Sequence, residues 1–215
     1  MTTLGILGAG RVGTAIAREA LRVGCDVLIA ASGDPNRIAL IAEVMAPGAK
    51  AVTAAEAVAS ADITILAVPL HRHSTLDPQI FAGHIVIDAM NHWADTDGPL
   101  PAEAVAGTTS EMVAAHLAGA RVVKTFNHIG YHEMASDPLP ANAPGRRALA
   151  VAGDDAAARE AAMELIDLLG FDPVDAGPLV AGAVFEPGTE IFNGRFDRAG
   201  LMAQLELAGV VDTAS

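Results

Sequence analysis

Two patterns of apolar positions alternate along this chain. Runs that are apolar at almost every position read as strands buried on both faces: "TLGILG" (3–8), "DVLIAA" (26–31), "DITILAVP" (62–69), "HIVIDAM" (84–90), "RVVKTFN" (121–127) and "RALAVAG" (147–153). Weaker runs at 51–53 and 172–177 read as two more. Between them the apolar residues recur every three or four positions, the period of a helix with one buried stripe. Over 11–24 the stripe is Val12, Ile16, Ala20 and Val23; over 36–45 it is Ile38, Ile41, Ala42 and Met45. A short helix follows over 54–60. Thr108 and Glu111 have the spacing of a capping box and open a helix to about Leu117. Asp154 is placed to cap a helix that Gly170 ends after Leu169, and residues 178–215 read as helical and irregular.

Strand–helix–strand repetition predicts an α/β fold. The expected form is a Rossmann-type, doubly wound, mostly parallel sheet with helices on both faces and a small C-terminal extension. Such sheets bind ligands at the carboxyl ends of their strands, so the chemistry is sought there.

Composition narrows the function. The 215 residues are 52% hydrophobic and 18% charged, which supplies a sizeable core. No apolar run approaches the roughly 20 residues that span a bilayer. The net charge is -13, with 13 basic residues and no long basic run, so nucleic acid and an anionic membrane are poor partners. A bound anion must be held by local groups against the overall field. The single cysteine, Cys25, precedes a strand without a nearby base and reads as structural. With no basic leader before the first apolar run, the expectation is a cytoplasmic protein. The surplus of apolar surface, and the stripe Leu201, Leu205 and Ala208 within 196–211, make a homodimer the expected assembly.

The most informative stretch is "GAGRVG", residues 8–13, between the first strand and the first helix. In that context glycines at this spacing make a dinucleotide loop. Gly8 permits the tight turn, and Gly10 lets a pyrophosphate approach the backbone. Gly13, with Ala17, lets the helix lie close to the sheet. Ala9, Arg11 and Val12 complete the loop, and the amino end of the helix offers N–H groups to phosphate. The end of the second strand, "AASGDPNR", selects the nucleotide. Ser32 is neutral and Arg37 supplies positive charge, which favours the 2′-phosphate of NADP(H); Asp34 in the acidic position would favour NAD instead.

Taken together, these residues carry a resemblance. The chain resembles the NADPH-dependent coenzyme F-420 reductases and their actinobacterial-type relatives. The shared stretches are "TLGILGAGRVGTAIA", "LAVPL", "VIDAMNHWADTDG", "TSEMVAAHLAGARVVKTFNHIGYHE", "LGFDPVDAGPL" and "EPGTEIF". The resemblance implies NADP(H) on residues 8–13 with Ser32 and Arg37 around the 2′-phosphate. Ala67, Val68 and Pro69 would lie beside the nicotinamide, Asn91 would close the pocket after the fifth strand, and His128 and Ile129 would flank the ring. It implies F-420, a deazaflavin, as hydride partner. One departure stands out: where the archaeal enzymes place an arginine after the serine matching Ser32, this chain has Gly33. The fold also resembles the oxidoreductase domain of the STEAP ferric reductases, without their membrane part. On this reading residues 1–127 form the NADP-binding domain. Residues 128–215 form an extension that completes the sheet and the acceptor pocket.

Hydride transfer between two rings needs orientation and exclusion of water rather than a protein nucleophile. The absence of a nucleophile elbow or spaced cysteine ligands is therefore consistent with it. Met90, Leu70 and Trp93 are candidate apolar walls, His71 a candidate pocket residue and His73 a solvated neighbour. No catalytic residue is certain; His128 is the candidate. His128 and His132 stand four apart before Glu133, but the order is H-x-x-x-H-E, not the H-E-x-x-H of a zinc site, and no metal is expected. A reductase of a flavin, quinone, ferric chelate or imine, and a dinucleotide sensor without catalysis, stay open beside the F-420 reading.

Overall fold

The computed structural model describes residues 1–102, 104 and 107–210. Eight strands form one sheet: β1 (Thr3–Leu7), β2 (Asp26–Ala30), β3 (Lys50–Ala51), β4 (Ile63–Leu66), β5 (Ile85–Asp88), β6 (Arg121–Lys124), β7 (Ala148–Gly153) and β8 (Asp172–Gly177). Their order is β3-β2-β1-β4-β5-β6-β7-β8. From β1 the chain builds outward to β3, then returns to lay β4 on the other side of β1. The strand order thus reverses between β1 and β4, which opens a crevice at their carboxyl ends.

Helices cover both faces. On one lie α1 (Arg11–Arg22), α2 (Asn36–Met45) and α7 (Ala156–Leu169), packed through Ile16, Ala42 and Ile166 onto Ile6, Ile65 and Val123. On the other lie α3 (Ala54–Ser60) and α5 (Thr109–His116), packed through Val58 and Val113 onto Leu7, Leu66 and Val86. Alternate residues of one strand feed opposite cores, as the two-fold period of a strand requires. One-turn helices α4 (Ala94–Asp97) and α6 (Glu133–Ser136) sit in the loops after β5 and β6. The last helix, α8 (Arg198–Leu207), and a 3₁₀ turn over Leu179–Phe185 pack on β7 and β8.

All pairs are parallel except β6–β7, whose register, Val123↔Gly153 and Lys124↔Ala152, joins the two strands only near their carboxyl ends. Most of β7, and β8 beside it, therefore stand beyond the ends of the parallel strands. That places the C-terminal block next to the crevice.

Local signals fixed several boundaries. Both halves of the Thr108–Glu111 capping box form, and a second box, Thr53–Glu56, opens α3. Gly170 ends α7 in the left-handed region at φ 100°. The N-cap of α7 is Asp155, not Asp154; Asp155 accepts from the Ala158 N–H, while Asp154 accepts from the Leu179 N–H and ties the next segment down. The strands expected to run to 69, 90 and 127 stop at Leu66, Asp88 and Lys124. After β5 and β6 the apolar run continues because the chain stays buried on leaving the ladder; after β4, Ala67 and Val68 are half-buried and Pro69 is exposed. Two of the three stripe residues are spent within the chain: Leu201 and Leu205 pack against β7 and β8, Ala208 caps the helix and is exposed, and Val211, the end of the expected helical stretch, lies outside the described residues. No helix among the described residues is long and apolar enough to cross a membrane.

Candidate functional site

The glycine loop joins β1 to α1 at the reversal point. Gly8 has φ 127°, a conformation that favours glycine, and its N–H donates to the Ala30 carbonyl at 2.8 Å. A Cβ there would strike the Ala67 carbonyl, so the ends of β1 and β4 meet without side chains between them. A Cβ on Gly13 would run into the Gly8 carbonyl, which is why α1 can start so close to the sheet. Gly10 differs. It caps α1 with φ -85°, has no side-chain cap of its own and would meet nothing within 4 Å if it carried a Cβ. Open space over an uncapped helix amino end is what a pyrophosphate needs. The loop fits a dinucleotide on this ground.

At the end of β2, Ser32 and Arg37 are exposed. Gly33 turns the chain at φ 89°, and a Cβ there would lie 3.9 Å from a nitrogen of the Arg37 guanidinium. The Asp34 carboxylate accepts from the Asn36 backbone N–H and from its side-chain amide, both at 2.9 Å. It is therefore committed to the turn that starts α2. Arg11 points across the loop; its guanidinium lies 5.7 Å from the Tyr131 ring centre, linking the glycine loop to the loop after β6.

Ala67, Val68 and Pro69 leave β4 and lead into a 3₁₀ turn over Leu70–Thr75. There His71 Nδ1 lies 2.6 Å from Asp97 Oδ1 of α4, and Arg72 Nε donates to His71 Nε2 at 3.2 Å. His73 is half-buried rather than solvated: its Nδ1 meets the Leu70 carbonyl and its ring sits edge-on to His116. After β5, Asn91 donates to the Asn127 carbonyl at 2.7 Å, and Asn127 returns a bond to Asn91 at 3.1 Å. Trp93 is half exposed and stands edge-on to Phe192.

His128 lies at the end of β6 but faces inward, at 2% exposure. Its Nε2 accepts from the Ala150 N–H at 3.0 Å, so Nδ1 carries the proton and donates to Asn127 Oδ1 at 3.1 Å. Burial, then the charges of Arg147 and Lys124, lower its pKa to about 3, so the ring is neutral. Both nitrogens are spent on the protein. Ile129 is buried in the core below, and His132 is exposed, so the two histidines do not converge. Among the described residues no group of three or more His, Cys, Asp or Glu is placed to hold a metal. Cys25 is buried and its thiol is pushed up by that burial.

One cluster was not anticipated from the sequence. Lys124 and Asp88, both fully buried at the ends of β6 and β5, form an ion pair at 3.3 Å. Lys124 also donates to the Met90 carbonyl at 2.6 Å; Asp88 accepts from Ser110 Oγ at 2.7 Å and from the Met90 N–H at 2.9 Å. At its edge Thr109 donates to Glu186. The signal was present as two charged residues interrupting apolar runs, "VIDAM" and "VVKTF". Two surface depressions, of about 370 Å³ beside Arg146 and Asp197 and about 510 Å³ beside Asp62 and Leu168, lie away from the glycine loop and hold none of these groups.

The fold and the loop define a Rossmann-type dinucleotide-binding protein. The model of the family described as NADP oxidoreductase, coenzyme F420-dependent, matches residues 3–92. A hypothetical protein of known structure from Sinorhizobium meliloti is 32% identical over 92% of this chain and 96% of its own, with a TM-score of 0.80. The chain belongs to that oxidoreductase family. A candidate F-420-dependent NADP reductase from Arthrobacter sp. FB24 shares the fold at 22% identity, covering 83% of this chain and 86% of that one, with a TM-score of 0.66. An imine reductase from Myxococcus stipitatus, a V8 variant in complex with NAD+, also shares it at 18% identity and a TM-score of 0.59. That match covers 85% of this chain and 57% of the longer one.

Proposed function

We propose that the protein moves a hydride between NADP(H) and the deazaflavin coenzyme F-420. The observation that carries the nucleotide half is the open, uncapped face at Gly10, set at the strand reversal with Ser32 and Arg37 free beside it. Backbone N–H groups of residues 10–13 hold the pyrophosphate. Ser32 and Arg37 hold the 2′-phosphate, and Asp34, committed to its turn, does not oppose it. Family membership supports the F-420 half.

When bound, the nicotinamide supplies the hydride; the residues here bind, orient and exclude water. Ala67, Val68 and Pro69 form the wall at the end of β4. Asn91, locked to Asn127, closes the pocket behind β5. His128 and Ile129 act from within, by fixing the end of β6 against β7 rather than by touching a ring. In this arrangement residues 1–127 bind the nucleotide, and 128–215 complete the wall on the acceptor side. The protein works in the cytoplasm.

Mixing reduced F-420 with NADP in a stopped-flow cell tests the reading. Loss of the reduced deazaflavin with matching growth of NADPH absorbance is expected. Tight NADPH binding with no turnover on F-420 would leave a reductase of another acceptor or a sensor. Arg37→Ala should weaken NADPH by about tenfold or more, the loss of a charge-assisted contact, and leave NADH unchanged. Equal NADPH affinity in that variant refutes the 2′-phosphate assignment.

A further inference from the structure

The reaction above moves more than a hydride. An acceptor ring that takes a hydride at carbon also takes a proton at nitrogen to reach its reduced form. We propose that His71, oriented by Asp97, supplies that proton; the inference rests on the NADP-linked reading of the site.

His71 follows the strand-end wall Val68-Pro69 by two residues, on the turn that borders the crevice beyond β4. Its two ring nitrogens have different tasks. Nδ1 faces Asp97 Oδ1 at 2.6 Å, and the same Oδ1 lies 3.3 Å from the His71 backbone N–H. Asp97 is in turn fixed by the Trp93 N–H, which donates to Oδ2 at 2.7 Å. The Asp97 side chain is 3% exposed and that of His71 40%. A buried carboxylate behind the imidazole holds the ring in the Nδ1–H tautomer and leaves Nε2 as the nitrogen that can exchange a proton. Burial alone would raise the Asp97 carboxyl; the bonds from Trp93 and His71 outweigh it and hold the group below the usual range, so the carboxylate stays charged.

The outer nitrogen, Nε2, accepts from Arg72. Arg72 is exposed and on the same turn. Once Nε2 is protonated it cannot accept that bond, and two adjacent cations repel, so the proposal requires the exposed Arg72 side chain to release Nε2–H to the acceptor. The other ionisable groups of this turn and of α5, which packs against it, are His73, His116 and Glu111; the two histidines face each other with ring centres 5.6 Å apart, and Glu111 is held by the Thr108 N–H in its capping box. Trp93, which holds Asp97 through its backbone, packs edge-on against Phe192.

The balance is complete. The nicotinamide C4 gives a hydride, two electrons and one hydrogen nucleus, to the acceptor carbon and becomes NADP⁺. The Nε2–H bond of His71 breaks and its proton goes to the acceptor nitrogen. The neutral imidazole then takes a proton from water, to which it is open. In the reverse direction His71 accepts the proton that the reduced acceptor loses.

Two measurements test this. In free protein labelled with ¹⁵N-histidine, at a pH where the ring is neutral, His71 should be the Nδ1–H tautomer and lose that preference in Asp97→Asn. An Nε2–H tautomer in the native protein overturns the proposal without reference to turnover. Against F-420, His71→Ala should bind NADPH within about threefold of the native affinity and turn over roughly 100-fold more slowly. Millimolar imidazole should restore part of the rate. A native rate in His71→Ala, or a slow rate that imidazole does not touch, overturns the role of His71 alone. Native protein that reduces no F-420 removes the functional reading and the proposal with it.

Discussion

Two glycines three positions apart, Gly10 and Gly13, separate folding from binding at the level of single residues. An added Cβ at Gly13 collides with the Gly8 backbone, whereas at Gly10 it meets open space at a φ any residue adopts. Gly13→Ala should therefore destabilise by about 2 kcal/mol or more, the scale of strain in a packed site. Gly10→Ala should melt within about 0.5 kcal/mol of native and lose NADPH affinity by tenfold or more. Thermal melts beside nucleotide titrations read both, and equal effects of the two changes on stability would refute the distinction. His128 makes a second residue-scale prediction. Its folded pKa of about 3 lies below the value of about 6.5 expected in the unfolded chain. Above pH 6.5 both states are neutral and stability is full. As pH falls from there towards 3, the unfolded chain takes a proton that the core refuses, and stability drops by up to about 1.4 kcal/mol per pH unit. Asp97 and Asp137, whose carboxyls are held low, contribute above about pH 3.9 and lose that contribution only at lower pH. Glu56, held low by its bonds to Thr53, loses its contribution only in the carboxylate range as well, so urea melts between pH 6.5 and about pH 5.5 read chiefly the histidine, and His128→Gln should flatten their slope.

Among the elements, the tie between β5 and β6 is the one with the highest stakes. Replacing Lys124 by methionine keeps the volume but leaves the Asp88 carboxylate buried without its cation. A loss of about 3–5 kcal/mol is expected in denaturant melts, partly recovered by Asp88→Asn in the same chain. A Lys124→Met protein within 1 kcal/mol of native would show that the pair adds nothing. That tie also marks the limit of what the sequence discloses. Strands β1, β2, β4, β5, β6 and β7 were legible because a parallel strand buried on both faces leaves an unbroken apolar run. The glycine loop was legible because its chemistry depends on backbone geometry that few residues permit. Which face α2 buries was not: its apolar residues nearly encircle it, and covering only the edge strands it hides Ile38 and Ala42 while Ile41 and Met45 stay exposed. The partners of His128, His71 and Lys124 were hidden for another reason. Each contact joins residues 22 to 36 positions apart, and pairing at that distance is decided by strand order, which periodicity does not encode.

At the scale of the whole molecule, the division proposed at residue 127 is not a division of the core. The larger core joins Leu4, Ile6, Ile65 and Val123 from before it to Leu149, Val151, Leu165 and Phe171 from after it. The antiparallel β6–β7 pair and the His128–Ala150 bond stitch the same junction at backbone level. On the other face Leu179 joins the core of Leu66, Val86 and Val122. A chain cut after residue 127 would expose Val123 and its neighbours along a whole sheet edge, the kind of surface that aggregates rather than folds. The intact protein should therefore unfold in one calorimetric transition, with van't Hoff and calorimetric enthalpies equal. NADPH, which on the proposed reading is held by the first part, should raise the midpoint of that single transition, because stabilising one part of a cooperative unit stabilises all of it. Two transitions, with the nucleotide shifting one alone, would show that residues 128–215 fold independently and would make the extension a separate domain in the physical sense.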